Sequence, residues 1–124
     1  MTPAAWAGVA AAGAIGAPLR YVVDGFVQDR THGRLPWGTL LVNVSGSFVL
    51  GLLTGLALYH GFRGTPRVVL GAGFCGAYTT FSTFTLETVR LWEDNRHRPA
   101  LAYAMASLIG GTAAAAAGLL VAAI

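Results

Sequence analysis

Residues 76–84, GAYTTFSTF, carry an unusual density of hydroxyl groups for an apolar part of the chain. Their five hydroxyl side chains are interleaved with Phe81 and Phe84, which stand three positions apart and so share one face of a helix. Because a phenyl ring has a positive edge, two ring edges beside Ser82 and Thr83 would offer partial positive charge to a dehydrated anion. A full cation would hold the anion too tightly, since permeation requires weak, successive sites. The segment therefore indicates an anion path, with ordinary ring packing as the alternative.

Polar side chains recur at every fourth position on three separate segments of the chain, and residues four apart lie on the same face of a helix. Asn43 is a side-chain amide well inside its apolar stretch, so it must face protein or water rather than lipid. Interhelical hydrogen bonds of about 0.6–2 kcal/mol each are the alternative explanation, but three such lines in a small chain favour one hydrophilic path. The three lines are Thr39, Asn43 and Ser47; Thr79, Thr83 and Glu87; and Tyr103, Ser107 and Gly111.

The helices that carry these three polar lines are predicted from the long stretches of sequence that contain no charged residue. Only 10% of the 124 residues are charged and 55% are hydrophobic, whereas a soluble domain carries roughly 25% charged residues. The charged residues leave four long uncharged stretches, and a helix of about 20 apolar residues crosses a bilayer. The sequence thus predicts an all-α membrane protein that forms a single domain over residues 1–124. Its four transmembrane helices are expected at about 3–26, 37–60, 67–92 and 99–123.

The third predicted helix contains a point near its middle at which it could be broken. Gly71, Gly73 and Gly76 precede Thr79 and Thr80, which are β-branched and able to bond backbone groups. An unwound turn frees carbonyl groups, which the discontinuous helices of transporters turn onto a bound cation. The two threonine hydroxyls would then cap the second half of the helix. The alternative is an unbroken helix whose hydroxyls bond back to the carbonyls four residues earlier.

The charged residues and the single cysteine argue against several other classes of protein. Loops are predicted at 27–36, 61–66 and 93–98, and the arginines are dispersed over them, so attraction to lipid headgroups is favoured over nucleic-acid binding. Four loop arginines fall in the first and third loops against two in the second, which is a modest bias for one orientation. Cys75 can form no internal disulfide and has no metal-ligand pattern around it. Ser82 and Ser107 have no His or Lys within the predicted spans, so an enzyme is not expected.

Two segments resemble the signature segments of the Fluc (CrcB) family of fluoride channels. They are GTLLVNVSGSFVLG, residues 38–51, and GFCGAYTTFSTFTLE, residues 73–87, while AGAIGAPLRY, residues 12–21, is similar to the family's first motif more loosely. The resemblance covers nearly the whole chain in length, number of spans, and order and spacing of the motifs. It implies a passive, highly selective fluoride channel that exports fluoride across the plasma membrane. It also implies an antiparallel homodimer of dual topology with two pores.

The resemblance implies roles for individual residues, matched position by position. Asn43 would be the pore amide donor, and fluoride would pass the ring edges of Phe81 and Phe84. Arg20 would match the basic residue that draws anions into an aqueous vestibule. The remaining pore residues implied by the match are Ser82, Thr83, Tyr103, Ser107 and Glu87, the last at the acidic end of a polar track.

A structural sodium ion is also implied by the resemblance. The backbone carbonyls of Gly76 and Thr79 from each subunit would hold this Na⁺ at the centre of the dimer. The family often has Gly-Gly after the cysteine, whereas this chain has Gly76 and Ala77. The added methyl group is expected to tighten or distort the sodium site.

The main alternative function is a proton-coupled exporter of lipophilic cations. Such an exporter would need a carboxylate in the middle of the membrane, usually early in the chain. The first predicted helix has none until Asp24 near its end, and Glu87 is the only acid that could lie deep. A purely structural assembly protein would leave the three polar lines unexplained. Whether transport needs a pH gradient would separate the exporter from the channel.

Overall fold

The computed structural model describes residues 1–32 and 34–124, and every regular element in this part of the chain is helical. Three of the helices are long, and shorter helical pieces connect the second long helix to the last. The long helices are α1 (Pro3–Thr31), α2 (Trp37–His60) and α6 (His97–Ala123). The shorter pieces are α3 (Thr65–Val68), a π-helical segment (Val69–Cys75), α4 (Gly76–Tyr78) and α5 (Ser82–Glu93).

The three long helices are each long and apolar enough to cross a membrane. This agrees with the prediction of a helical membrane protein. Residues 65–93 include the span predicted at 67–92, and they form short helices rather than one continuous helix. Thr79, Thr80 and Phe81 lie outside any helix, and Thr79 is extended with φ −81° and ψ 160°.

The end of α1 differs from the prediction, because the helix continues to Thr31 instead of ending near residue 26. Residues 27–31 contain no glycine or proline, so nothing in the backbone stops the helix there. The Arg30 guanidinium lies 3.8 Å from the centre of the Phe26 ring, and the Thr31 hydroxyl donates to the Val27 carbonyl at 2.9 Å. The connection to α2 is therefore shorter than the predicted loop 27–36, of which residue 33 lies outside the described residues.

The long helices α2 and α6 pack closely because glycines remove side chains from their contact. A Cβ atom on Gly118 of α6 would collide with the Phe48 carbonyl of α2 and lie 2.7 Å from the Leu52 nitrogen. A Cβ atom on Gly51 would likewise collide with the backbone of Ala115. Helices in lipid associate through this kind of close packing, since burial from water contributes nothing between them.

Replacing Gly118 by alanine is expected to lower the free energy of unfolding by roughly 1–3 kcal/mol, because the added methyl group must push α6 away from α2. Gly25→Ala is the matched control, since a Cβ atom on Gly25 would meet nothing within 4 Å. Thermal unfolding of the two variants in detergent measures the difference. Equal melting temperatures would contradict the packing described here.

Candidate functional site

The side chain of Asn43 joins α2 to the non-helical residues that separate α4 from α5. Asn43 Nδ2 donates to the Thr80 carbonyl at 2.9 Å, and the Thr80 N–H donates to Asn43 Oδ1 at 2.8 Å. In a bilayer each unpaired backbone group costs several kcal/mol, so this pair of bonds stabilises the non-helical backbone. A side-chain amide has two N–H groups. Asn43 therefore keeps one donor for a further partner.

The residues beside Asn43, between α4 and α5, are not helical, and a glycine of α2 leaves space for them. A Cβ atom on Gly46 would collide with the Thr79 methyl group, so the glycine permits the extended residue to approach α2. The Thr80 hydroxyl accepts the Thr83 N–H at 3.1 Å and thus occupies a free donor in the first turn of α5. The Thr79 hydroxyl instead donates to the Cys75 carbonyl at 2.8 Å. The prediction that the Thr80 hydroxyl caps α5 is confirmed, and the same prediction for the Thr79 hydroxyl is wrong.

Three aromatic rings form a row beside the non-helical residues. The ring centres of Phe81 and Phe84 are 5.9 Å apart with the planes inclined at 52°. Phe84 and Tyr103 are 5.3 Å apart at 48°. Rings inclined in this way turn a positive edge as well as a face toward their surroundings. Tyr103 is 3% exposed and Phe81 is 78% exposed, so the row runs from the interior to the protein surface.

A cavity of about 330 Å³ lies against the aromatic row and Asn43. It brings together four of the predicted pore residues: Asn43, Phe81, Phe84 and Ser107. The hydroxyl oxygens of Tyr103 and Ser107 are buried, and neither has a hydrogen-bond partner in the described part of the chain. A buried hydroxyl without a partner costs about 1–3 kcal/mol. A small polar guest in this cavity would therefore be stabilised beside Ser107, whereas Tyr103 lines a separate apolar pocket. The lining residues are Asn43, Ser47, Leu50, Thr79, Thr80, Phe81, Phe84, Ser107, Leu108 and Gly111.

A second cavity, of about 200 Å³, holds the predicted vestibule residue Arg20. Arg20 Nη1 donates to the Thr79 carbonyl at 3.4 Å, which is long for a hydrogen bond. Asp24 is the other charged residue that lines this cavity. Both cavities touch Thr80, so they lie on two sides of the same backbone. The lining residues are Ala17, Arg20, Tyr21, Asp24, Thr39, Val42, Thr80 and Thr83.

The structure separates the remaining predicted pore residues. Thr83 lines the second cavity with Arg20 and not the first. Ser82 is exposed and lines neither cavity, and its Oγ lies 3.4 Å from the Thr80 Oγ1. Glu87 is one turn beyond Thr83 on α5 and lines neither of these two cavities.

The sequence placed Thr39 in a polar line with Asn43 and Ser47 but did not predict its contact with Glu87. The Thr39 hydroxyl donates to Glu87 Oε1 at 2.6 Å, a length typical of a strong bond to a charged acceptor. Thr39 is 2% exposed and lines the second cavity. Its position one helical turn before Asn43 predicted the face of α2 on which it lies, but not its partner on α5.

The carbonyls of Gly76 and Thr79 have the chemistry of sodium ligands, and the Thr79 carbonyl also accepts the long hydrogen bond from Arg20. The helical partner of the Gly76 carbonyl is the Thr80 N–H, which donates to Asn43 instead. The extended conformation of Thr79 ends the helical hydrogen bonding at that residue. Carbonyl oxygens of unwound helices are ligands that suit Na⁺. In the described part of the chain no three His, Cys, Asp or Glu side chains come together.

The methyl group of Ala77 was expected to disturb this site, and the structure places it against α1. Cβ atoms built on Gly13 and Gly16 would lie 3.7 Å and 3.4 Å from the Ala77 Cβ. Ala77 therefore fills space that the glycines of α1 leave open. Its effect on sodium binding stays a prediction.

The long apolar helices and the polar cavities between them define a small helical membrane protein of the channel or transporter type. The family model described as "CrcB-like protein, Camphor Resistance (CrcB)" matches residues 7–119. The chain belongs to this family, as the sequence motifs indicated.

Curated relatives match the chain over most of its length. A protein from Leifsonia xyli subsp. xyli named "Fluoride-specific ion channel FluC 1" is 46% identical over 119 residues, covering 96% of this chain and 87% of the relative. A "Fluoride-specific ion channel FluC 2" from Mycolicibacterium paratuberculosis is 49% identical over 92% of this chain and 90% of its own. A "Fluoride-specific ion channel FluC 1" from Streptomyces avermitilis is 49% identical over 91% of both chains. These names describe ion channels, so the family activity is not enzymatic.

Proposed function

We propose that this protein is a passive, fluoride-selective channel through which fluoride leaves the cell across the plasma membrane. The observation that carries the proposal is the cavity that joins Asn43, the two phenylalanines and Ser107. Its lining includes the Asn43 amide, the Ser107 hydroxyl and the two phenyl rings, and none of its lining residues carries a charge. The names of the three relatives support the same activity.

Fluoride would move along groups that each hold it weakly. The free N–H of Asn43 would donate to the ion, and the edges of Phe81 and Phe84 would replace part of its water shell. The unpartnered hydroxyls of Tyr103 and Ser107 would donate next. The ion would leave the path past Thr83, Ser82 and Glu87, and Arg20 in the neighbouring cavity would raise the local anion concentration.

The proposed assembly is an antiparallel homodimer in which residues 65–93 form a third transmembrane span, broken at Thr79–Phe81. The 78% exposure of Phe81 supports it, because a second copy would cover this ring and complete the pore wall. A central Na⁺ would be held by the Gly76 and Thr79 carbonyls of both copies. The ion would supply positive charge that offsets the freed carbonyl groups of the broken helix.

Expression in bacteria that lack their own fluoride channel tests the proposed function in cells. Cells that produce the protein are expected to grow at fluoride concentrations that stop the parent strain. Phe26→Ile, on α1 and outside both cavities, is expected to protect as well as the unmodified protein. Failure of the correctly inserted protein to protect would count against fluoride export.

Replacing Thr39 by valine is expected to slow fluoride efflux roughly tenfold, because Glu87 loses a charge-assisted hydrogen bond of about 1.5–3 kcal/mol. Valine keeps nearly the shape of threonine and removes the hydroxyl. Thr54→Val is the matched control, since the Thr54 hydroxyl donates only to the Leu50 carbonyl of its own helix. Efflux from liposomes compares the two variants. Equal rates would exclude a role for the Thr39 and Glu87 pair.

A further inference from the structure

A cleft of about 240 Å³ lies where the connection between α1 and α2 meets the end of α5. Three arginines bound it: Arg34, Arg90 and Arg96. Arg34 and Arg90 are exposed, and Arg96 is half-buried. Glu87 and Asp94 also line the cleft, so three guanidinium groups face two carboxylates and the formal charge is positive by one.

Glu87 connects this cleft to the interior of the protein. Its carboxylate accepts the Thr39 hydroxyl at 2.6 Å, and Thr39 lines the second cavity with Arg20. The hydrogen bond between Thr39 and Glu87 therefore lies between the arginine cleft and the second cavity.

We propose that this cleft is an anion-binding mouth, in which Arg90, Arg96 and Arg34 concentrate small anions by their charge at the Glu87 end of the polar path. The inference rests on the proposed function and deepens it by assigning a second basic site, distinct from Arg20. The summed charge of a cleft sets the local concentration and the entry rate of a charged solute, and here the arginines outnumber the carboxylates by one. Lipid phosphate groups have the same charge chemistry. The continuity of the cleft with Glu87 favours the conducted anion.

The double variant Arg90→Gln/Arg96→Gln tests the mouth by fluoride efflux from vesicles of neutral phosphatidylcholine. Arg63→Gln/Arg67→Gln is the control, because it removes the same charge from exposed residues between α2 and the π-helical segment. At about 0.01 M ionic strength the Debye length is about 30 Å, and at about 1 M it is about 3 Å. We expect the test variant to be roughly three- to tenfold slower than the control at low ionic strength and within about twofold of it at high ionic strength.

Two results would overturn the proposal. One is an efflux rate for Arg90→Gln/Arg96→Gln that does not depend on ionic strength in the expected way. The rate would then either equal that of the control variant at low ionic strength, or lie below it by the same factor at low and at high ionic strength. The other is an effect of the two arginines that appears only when phosphatidylglycerol is added to the vesicles, which would assign the cleft to lipid phosphate.

A fluorescence measurement tests anion binding at the cleft whether or not the protein conducts fluoride. Trp92 is 50% exposed and stacks on His97 with ring centres 4.0 Å apart, next to Arg96 in the chain. With Trp6→Phe and Trp37→Phe it is the only tryptophan. Trp92 does not itself line the cleft, but it follows Arg90 and Leu91, which do. Quenching of its fluorescence by iodide reports the anion concentration beside the cleft, and quenching by neutral acrylamide reports access alone.

We expect Arg90→Gln/Arg96→Gln to lower iodide quenching by about two- to threefold at low ionic strength, with acrylamide quenching unchanged. An unchanged iodide response would refute the mouth. If iodide quenching falls as expected but the unmodified protein conducts no fluoride, the anion site stands and the proposed function fails.

Discussion

Replacing Phe81 or Phe84 by isoleucine is expected to slow fluoride efflux by at least about tenfold in a protein that still folds and assembles. Isoleucine keeps an apolar side chain but removes the positive ring edge. The inclined rings of Phe81 and Phe84 line the cavity that holds Asn43, so either change removes a surface past which the ion is proposed to move.

Phe26→Ile is the matched control for this prediction. Phe26 lies near the end of α1 and contacts Arg30 rather than either central cavity. Efflux from liposomes should therefore be close to that of the unmodified protein. Unchanged efflux in both Phe81→Ile and Phe84→Ile would remove the ring-edge mechanism.

Replacing Asn43 by alanine is expected to have a large effect on both stability and flux. The change leaves the N–H and the carbonyl of Thr80 without partners, which should cost roughly 2–6 kcal/mol of folding free energy at about 1–3 kcal/mol for each group. It also removes the donor proposed for fluoride. Thermal unfolding in detergent and efflux from liposomes measure the two effects.

Thr54→Ala is the control for the Asn43 prediction, because it also truncates a polar side chain of α2 but one that bonds only within its own helix. It should unfold at nearly the temperature of the unmodified protein. An Asn43→Ala variant as stable and as conductive as Thr54→Ala would show that the Asn43 bonds to Thr80 are not needed.

The helices could be predicted where local signals decide them. Pro36 before α2 and the left-handed Gly61 after it, with φ 70°, mark the two ends that the sequence predicted. The predicted end of α1 near residue 26 was wrong because residues 27–31 are polar enough to resemble a loop, although they include no residue that breaks a helix. Polarity identifies where a helix leaves the apolar region, while backbone propensity decides where it stops.

The candidate site was predictable in its residue types but not in its pairings. The spacing of Thr39, Asn43 and Ser47 placed them on one face of a helix. It could not show that Asn43 would bond both backbone groups of Thr80, 37 positions away, nor that Thr39 would meet Glu87. These contacts depend on how α2 packs against the non-helical residues and α5, which a pattern along one segment does not contain.

Fluoride efflux from liposomes that contain the purified protein, with chloride as the matched anion and no pH gradient, tests the central claim most directly. The account predicts rapid release of fluoride without release of chloride. Release that requires a pH gradient, or none at all from a folded and assembled protein, would contradict a passive fluoride channel.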